Sequence, residues 1–215
     1  MDLKRIYSKV FFWMFIGLAV TFATGYIVSE NPNMIANIFT KSNTIILGIV
    51  EIGLVIALSA FMHKMSPTVA SICFIVYSFV TGLTFGSIFL VYEISSIIFV
   101  FGITAVLFLI FALIGHFTNI DLTKFGVILL MMLIGIIICS IINIFVKSEA
   151  FNFGLTVLGL FIFLAYIAYD MQVIKKSLYA FDSEEKVAIY GALQLYIDFI
   201  NIFLRLLRLF ASERD

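Results

Sequence analysis

Proline is scarce in this chain, with two in 215 residues. Long helices can therefore run without the breaks that an interior proline imposes. Cysteine is equally rare, and Cys73 and Cys139 both sit inside apolar runs. That excludes a disulfide framework and reads as two small packed hydrophobes. The two histidines, His63 and His116, have no second ligand nearby in sequence, so no zinc-ligand spacing is present. Charge is scarce in both signs: 13 basic residues are matched by 13 acidic ones, and together they make 12% of the chain. Without a basic patch, no nucleic-acid partner is expected. No nucleophile–base set and no Gly-rich phosphate loop appears, so an enzyme is not expected.

Apolar residues are abundant. They make 63% of the chain, and the mean hydropathy is +1.19. A soluble domain is closer to half apolar and about a quarter charged. A soluble fold of this size leaves too much surface in water to hide so many apolar groups. Disorder is excluded on the same ground. The chain reads as an all-α polytopic membrane protein.

A spanning helix needs roughly 20 apolar residues. Seven windows meet or approach that length: 10–28, 45–62, 69–92, 94–114, 125–146, 153–169 and 188–210. The breaks between them are short and polar, and no soluble domain fits anywhere. One polytopic domain over residues 1–215 is expected. Lys4, Arg5 and Lys9 precede the first window as in a secretion signal. Its apolar run is too long for a signal core, and Phe22 interrupts the small residues of a cleavage site, so a retained helix is expected.

The basic residues suggest an orientation. With the N-terminus cytoplasmic, Lys4, Arg5, Lys9, Lys64, Lys124, Lys175, Lys176 and Lys186 lie inside. Seven full spans leave Lys41, Lys147, Arg205, Arg208 and Arg214 outside, a split of 8 against 5. A last helix that entered and returned would make it 11 against 2, so the side of the C-terminus stays open.

Ionisable groups inside a bilayer are expensive and point to function. Glu51 lies about 9 Å from the outer end of its window at helical rise. Asp170 stands at the inner end of the sixth window and Asp198 near the centre of the last. The two aspartates are 28 positions apart, with Glu184 midway. Residues 181–186 read as a turn entering a helix, capped by Asp182 or Ser183, with Glu184 and Glu185 at its positive end. If the sixth helix continues to about Ala180, the last two helices form an antiparallel hairpin. Each aspartate is then about 21 Å from the bend, at one depth. Two carboxylates at one level in a low dielectric relieve their repulsion by sharing a proton. Deprotonated, they can bind a divalent cation.

Plainer readings stand beside these. Asp170 can hydrogen-bond a neighbouring helix or reach the interface, Asp198 can be a structural hydrogen-bonding group, and Glu51 can be an interfacial one. Gln194, Asp198 and Asn201 share one face of the last helix. A polar face at that depth must be covered by protein or line a water-filled cavity, so the last helix is expected to be enclosed. Ser78, Gly82 and Gly86 form a stripe of small residues suited to close helix packing. Arg205 and Arg208 can snorkel or pair with an acid. His63 and Lys64 can anchor the interface or lock a gate.

Ala168-Tyr169-Asp170-Met171-Gln172, followed by the run from Ala192 through Asp198 and Asn201 to Arg208, resembles the Bax inhibitor-1 family, also called the transmembrane Bax inhibitor motif family. The resemblance extends over essentially the whole chain and includes Glu51. It implies seven helices with a central last helix wrapped by the other six, and a pH-sensitive calcium leak across a bacterial plasma membrane. It implies that Asp170 and Asp198 form the pH sensor. For an ion path along the last helix or a cation site, the candidates are Asp170, Asp198, Asn201 and, as a second site on the outer side, Glu51. Ca²⁺ would be the transported ion, held at Asp170 and Asp198 when they are deprotonated, and no cofactor would be required. Bacterial relatives carry an arginine near the inner end of the second helix that latches to the aspartate pair. Here His63 and Lys64 occupy that place, with Arg205 a further latch candidate. Histidine titrates near neutrality where arginine does not. A different class of function is the alternative: a regulatory protein that binds a membrane protease or other membrane partner without conducting ions. A proton-coupled transporter is disfavoured by the lack of an internal repeat.

Overall fold

In the computed structural model, which describes residues 2–212, the chain folds as helices joined by short connections, with no strand among the described residues. The elements are α1 (Leu3–Ser29), α2 (Pro32–Ile38), α3 (Lys41–Phe61), α4 (Pro67–Val91), α5 (Ile94–Phe117), α6 (Gly126–Val146), α7 (Glu149–Ser177) and α8 (Glu184–Phe210). All except α2 are long and apolar enough to cross a membrane, and these seven are the seven expected windows. Arg214 lies outside the described residues.

Local chemistry sets the ends. Asp2, Asn31, Thr40 and Ser66 each accept a backbone N–H from the first turn that follows them. Asn31 with Pro32 behind it starts α2, a short helix in a stretch that reads from sequence only as a polar break. At the start of α8 the cap is Ser183, whose Oγ accepts the Lys186 N–H at 3.2 Å. The preceding helix stops at Ser177, short of the expected Ala180. Lys147 ends α6 in the left-handed region, at φ 54°.

The chain divides into two compact units. The first comprises the residues up to Ile94 together with Lys176–Tyr196; the second comprises Ser95–Lys175 and Ile197–Ser212. In the first unit, α1 and α4 pack backbone to backbone across small residues. A Cβ on Gly82 would stand 2.9 Å from the Thr21 carbonyl, and one on Gly86 would press on Val28. Thus Gly82 and Gly86 let α1 approach. In the second unit, a Cβ on Gly115 of α5 would overlap the backbone of Ala168 in α7.

The last helix is the enclosed one. Of its spanning stretch 72% is buried, against 11–50% for the other six. Phe74 and Tyr77 of α4 meet Tyr196 edge to face in the first unit. Phe101 and Phe108 of α5 pack on Phe199 in the second. Outward faces of α5 and α6 carry exposed Ile98, Phe99, Val127 and Phe145, the surface that lipid tails would cover.

A buried aspartate pair and its surroundings

Asp170 of α7 and Asp198 of α8 both belong to the second unit, and each side chain is buried, with 3% exposure. A hydrogen bond joins the two carboxyls. One oxygen of each, Asp170 Oδ1 and Asp198 Oδ2, has no partner. A hydrogen bond between two carboxyl oxygens needs a proton on one of them, because an ionised carboxylate only accepts. The antiparallel course of α7 and α8 brings the pair to one level, as the spacing about their connection expects.

Tyr166, one turn before Asp170, lies within electrostatic range of both carboxyls. Its ring meets that of Tyr169 edge to face, with centroids 6.0 Å apart. Tyr169 in turn covers Gly126, where a Cβ would stand 2.6 Å from the phenol oxygen. Gln172 clasps the connection between α5 and α6: its Oε1 accepts the Leu122 N–H at 2.8 Å, and its Nε2 donates to the Ile120 carbonyl at 2.9 Å. So the segment of α7 around Asp170 is fixed by Tyr166, which the sequence did not single out, and by Tyr169 and Gln172, which stood there only as part of the family-like run and with no role assigned. Their positions at i−4, i−1 and i+2 of a buried acid were the available signal.

The other expected site residues have other neighbours. Asn201 turns its amide to its own helix, donating to the Ile197 carbonyl at 2.9 Å. Glu51, half-buried in the first unit, accepts from Thr84 Oγ1 at 2.9 Å. His63 is exposed, its ring stacked on Phe181 at 4.3 Å, and its carbonyl accepts Lys186 Nζ at 3.3 Å. Lys64 lies over the Phe61 ring at 5.9 Å. Arg205, half-buried in the second unit, donates to the Leu155 carbonyl at 3.2 Å and lies over the Phe163 ring at 5.3 Å. Buried Lys186 reaches Asp182 Oδ1 at 3.0 Å. Beside it, Lys9 pairs with Glu184 at 3.2 Å and also with Glu185, joining the start of α1 to the start of α8.

A second polar cluster lies in the first unit. Thr21 Oγ1 is 2.5 Å from Tyr196 Oη and 2.9 Å from each of the Gly17 and Ser78 carbonyls. With two carbonyls waiting for the Thr21 proton, the Tyr196 hydroxyl is the donor between the two side chains. Among the described residues no group of three or more His, Cys, Asp or Glu is placed to hold a metal ion.

Seven long apolar helices, the last of them buried and carrying one of two hydrogen-bonded acids, define a polytopic helical membrane protein with an ionisable centre. The family model described as "Inhibitor of apoptosis-promoting Bax1" matches residues 3–215, and the chain belongs to this Bax inhibitor-1 family of integral membrane proteins. It is 42% identical to a protein of Borreliella burgdorferi over 217 residues, covering 99% of this chain and 94% of that one. It is 39% identical to the inner membrane protein YbhL of Escherichia coli K12 over 218 residues, covering 99% and 93%. A Deinococcus radiodurans protein is 31% identical over 217 residues, covering 100% and 93%.

Proposed function

We propose that the protein is a pH-sensitive leak for calcium across a bacterial inner membrane, with Asp170 and Asp198 as sensor and gate. The observation that carries this reading is the hydrogen bond between two carboxyls that are both buried. With one proton shared, the pair ties α7 to α8. Loss of that proton leaves two like charges in contact in a low dielectric, and their repulsion favours separation of the helices. The separated carboxylates then offer oxygens to a passing cation. Ca²⁺ takes six to eight oxygen ligands at a resident site. Two carboxylates, with no third acid grouped beside them among the described residues, suit an ion in transit, which keeps part of its water.

The inner-membrane location is supported by the name of the Escherichia coli relative. A cytoplasmic N-terminus is supported by the excess of Lys and Arg on that side of the first six spans.

Calcium flux into dye-loaded liposomes, titrated against pH, tests the reading. Flux should rise as pH rises, and Asp170→Asn and Asp198→Asn should remove the response. An unchanged response in both variants overturns it. Absence of flux, with a co-purifying membrane partner retained by both variants, establishes the regulatory alternative instead.

A further inference from the structure

Arg205 and Arg208 stand one turn apart near the end of α8, and neither has a carboxylate within 4 Å among the described residues. The two cations are close enough to repel each other. Arg205 is the more enclosed. It lies along α7 in a notch that exists because residue 159 is glycine; a Cβ there would overlap the guanidinium carbon and stand 2.6 Å from Nη2. The seat satisfies little of the group. Nη1 donates to the Leu155 carbonyl, the Phe163 ring lies beneath the guanidinium, and buried Nε has no partner. A guanidinium has five donors and keeps its charge at every physiological pH.

Depth identifies what can complete this arrangement. Arg205 is about 8 Å from the end of α8 at Phe210, and Leu155 about 9 Å from the start of α7 at Glu149, at 1.5 Å per residue. Both distances refer to the same end of the second unit, because α7 and α8 run antiparallel there. A side chain snorkelling from that depth reaches the headgroup boundary. Arg208, three residues on and so on the same face of α8, is exposed, so this end of the site opens to the surface that lipid covers. The anion available at that level is a phosphate, which guanidinium groups bind through paired N–H donors.

We propose that Arg205, seated at the Gly159 notch, and Arg208 one turn further along α8 form a binding site for the phosphate of an anionic phospholipid. The site is independent of the calcium reading. It requires only that the two cations hold a phosphate monoanion between them, with no covalent step.

The full-length chain, reconstituted in phosphatidylglycerol–phosphatidylcholine nanodiscs and released for native mass spectrometry, tests it. Phosphatidylglycerol should be retained over phosphatidylcholine by about fivefold per arginine. The preference should fall in Arg205→Ala and Arg208→Ala, and in Gly159→Ala, which fills the seat while leaving both charges. Arg205→Lys should keep part of it. Thermal melting in detergent supplies the second arm: added phosphatidylglycerol should stabilise the native chain, whereas inorganic phosphate should not. Stabilisation by inorganic phosphate alone would assign the site to a free anion and overturn the lipid. Equal retention of the two lipids by the native chain overturns the site altogether. Since no calcium is measured, this result and that of the flux experiment stand apart.

Discussion

The carboxyl of Asp170 is hydrogen-bonded to that of Asp198 inside the second unit, and each keeps one oxygen without a partner. An Asn at either position can still donate to the remaining carboxylate, so the contact survives while the shared proton is no longer needed. Asp170→Asn and Asp198→Asn are therefore expected to fold. The native chain should melt at lower temperature as rising pH charges both groups, and the two variants should lack that decline. Parallel melting curves against pH for the native and variant chains would contradict a proton-sharing pair.

Tyr196 donates to Thr21 at 2.5 Å in a part of the first unit where both side chains are fully buried. Hydrogen bonds between membrane helices average about 0.6 kcal/mol in double-mutant cycles, with a maximum near ~1.7. This one is short, and the Thr21 oxygen is further polarised because its own proton goes to a carbonyl. A cycle of Thr21→Val and Tyr196→Phe should give a coupling of about 1 kcal/mol. Additive effects would show that the bond contributes nothing net.

The seven spans and the aspartate pair were legible because each rests on one-dimensional information. Apolar length marks a span whatever it packs against, and an acid such as Asp198 inside one is too costly to be incidental. The symmetric distance of Asp170 and Asp198 from the α7–α8 connection places them together even though α7 ends three residues earlier than expected at Ser177. Partner choice was not legible. Nothing local shows that Gln172 bonds to a connection 50 residues earlier, or that Lys186 reaches the carbonyl of His63. Both contacts are made with backbone groups, which carry no residue-type signal. Charge alone suggested that Arg205 would snorkel or find an acid; its seat depends on Gly159, 46 positions away in another helix.

Gln172 satisfies an N–H and a carbonyl of the same connection, holding residues 120–122 against α7 two residues beyond Asp170. Gln172→Ala removes both bonds in a partly exposed place and should cost about 1–2 kcal/mol. Gln172→Glu retains the acceptor for Leu122 but turns an oxygen toward the Ile120 carbonyl in place of the donor, so only the Leu122 bond survives. Amide exchange at Leu122 separates the two variants: fast in Gln172→Ala, protected in Gln172→Glu. Equal protection in both would mean that the backbone, and not this amide, holds the connection.

Asp182 lies outside the spans, and its hydrogen bond with the Lys186 ammonium holds its carboxyl below the usual aspartate range. A carboxyl held low in the folded state stabilises it above the unfolded value, near ~3.9, and that contribution disappears as pH falls through the folded value. Melting measured downward from pH 5 should accordingly show an acid decline that is shallower in Asp182→Asn. The same variant should leave neutral-pH calcium flux unchanged if the loop only fastens Lys186 beneath His63. An acid limb identical to that of the native chain would show that Lys186 is held by the His63 carbonyl alone.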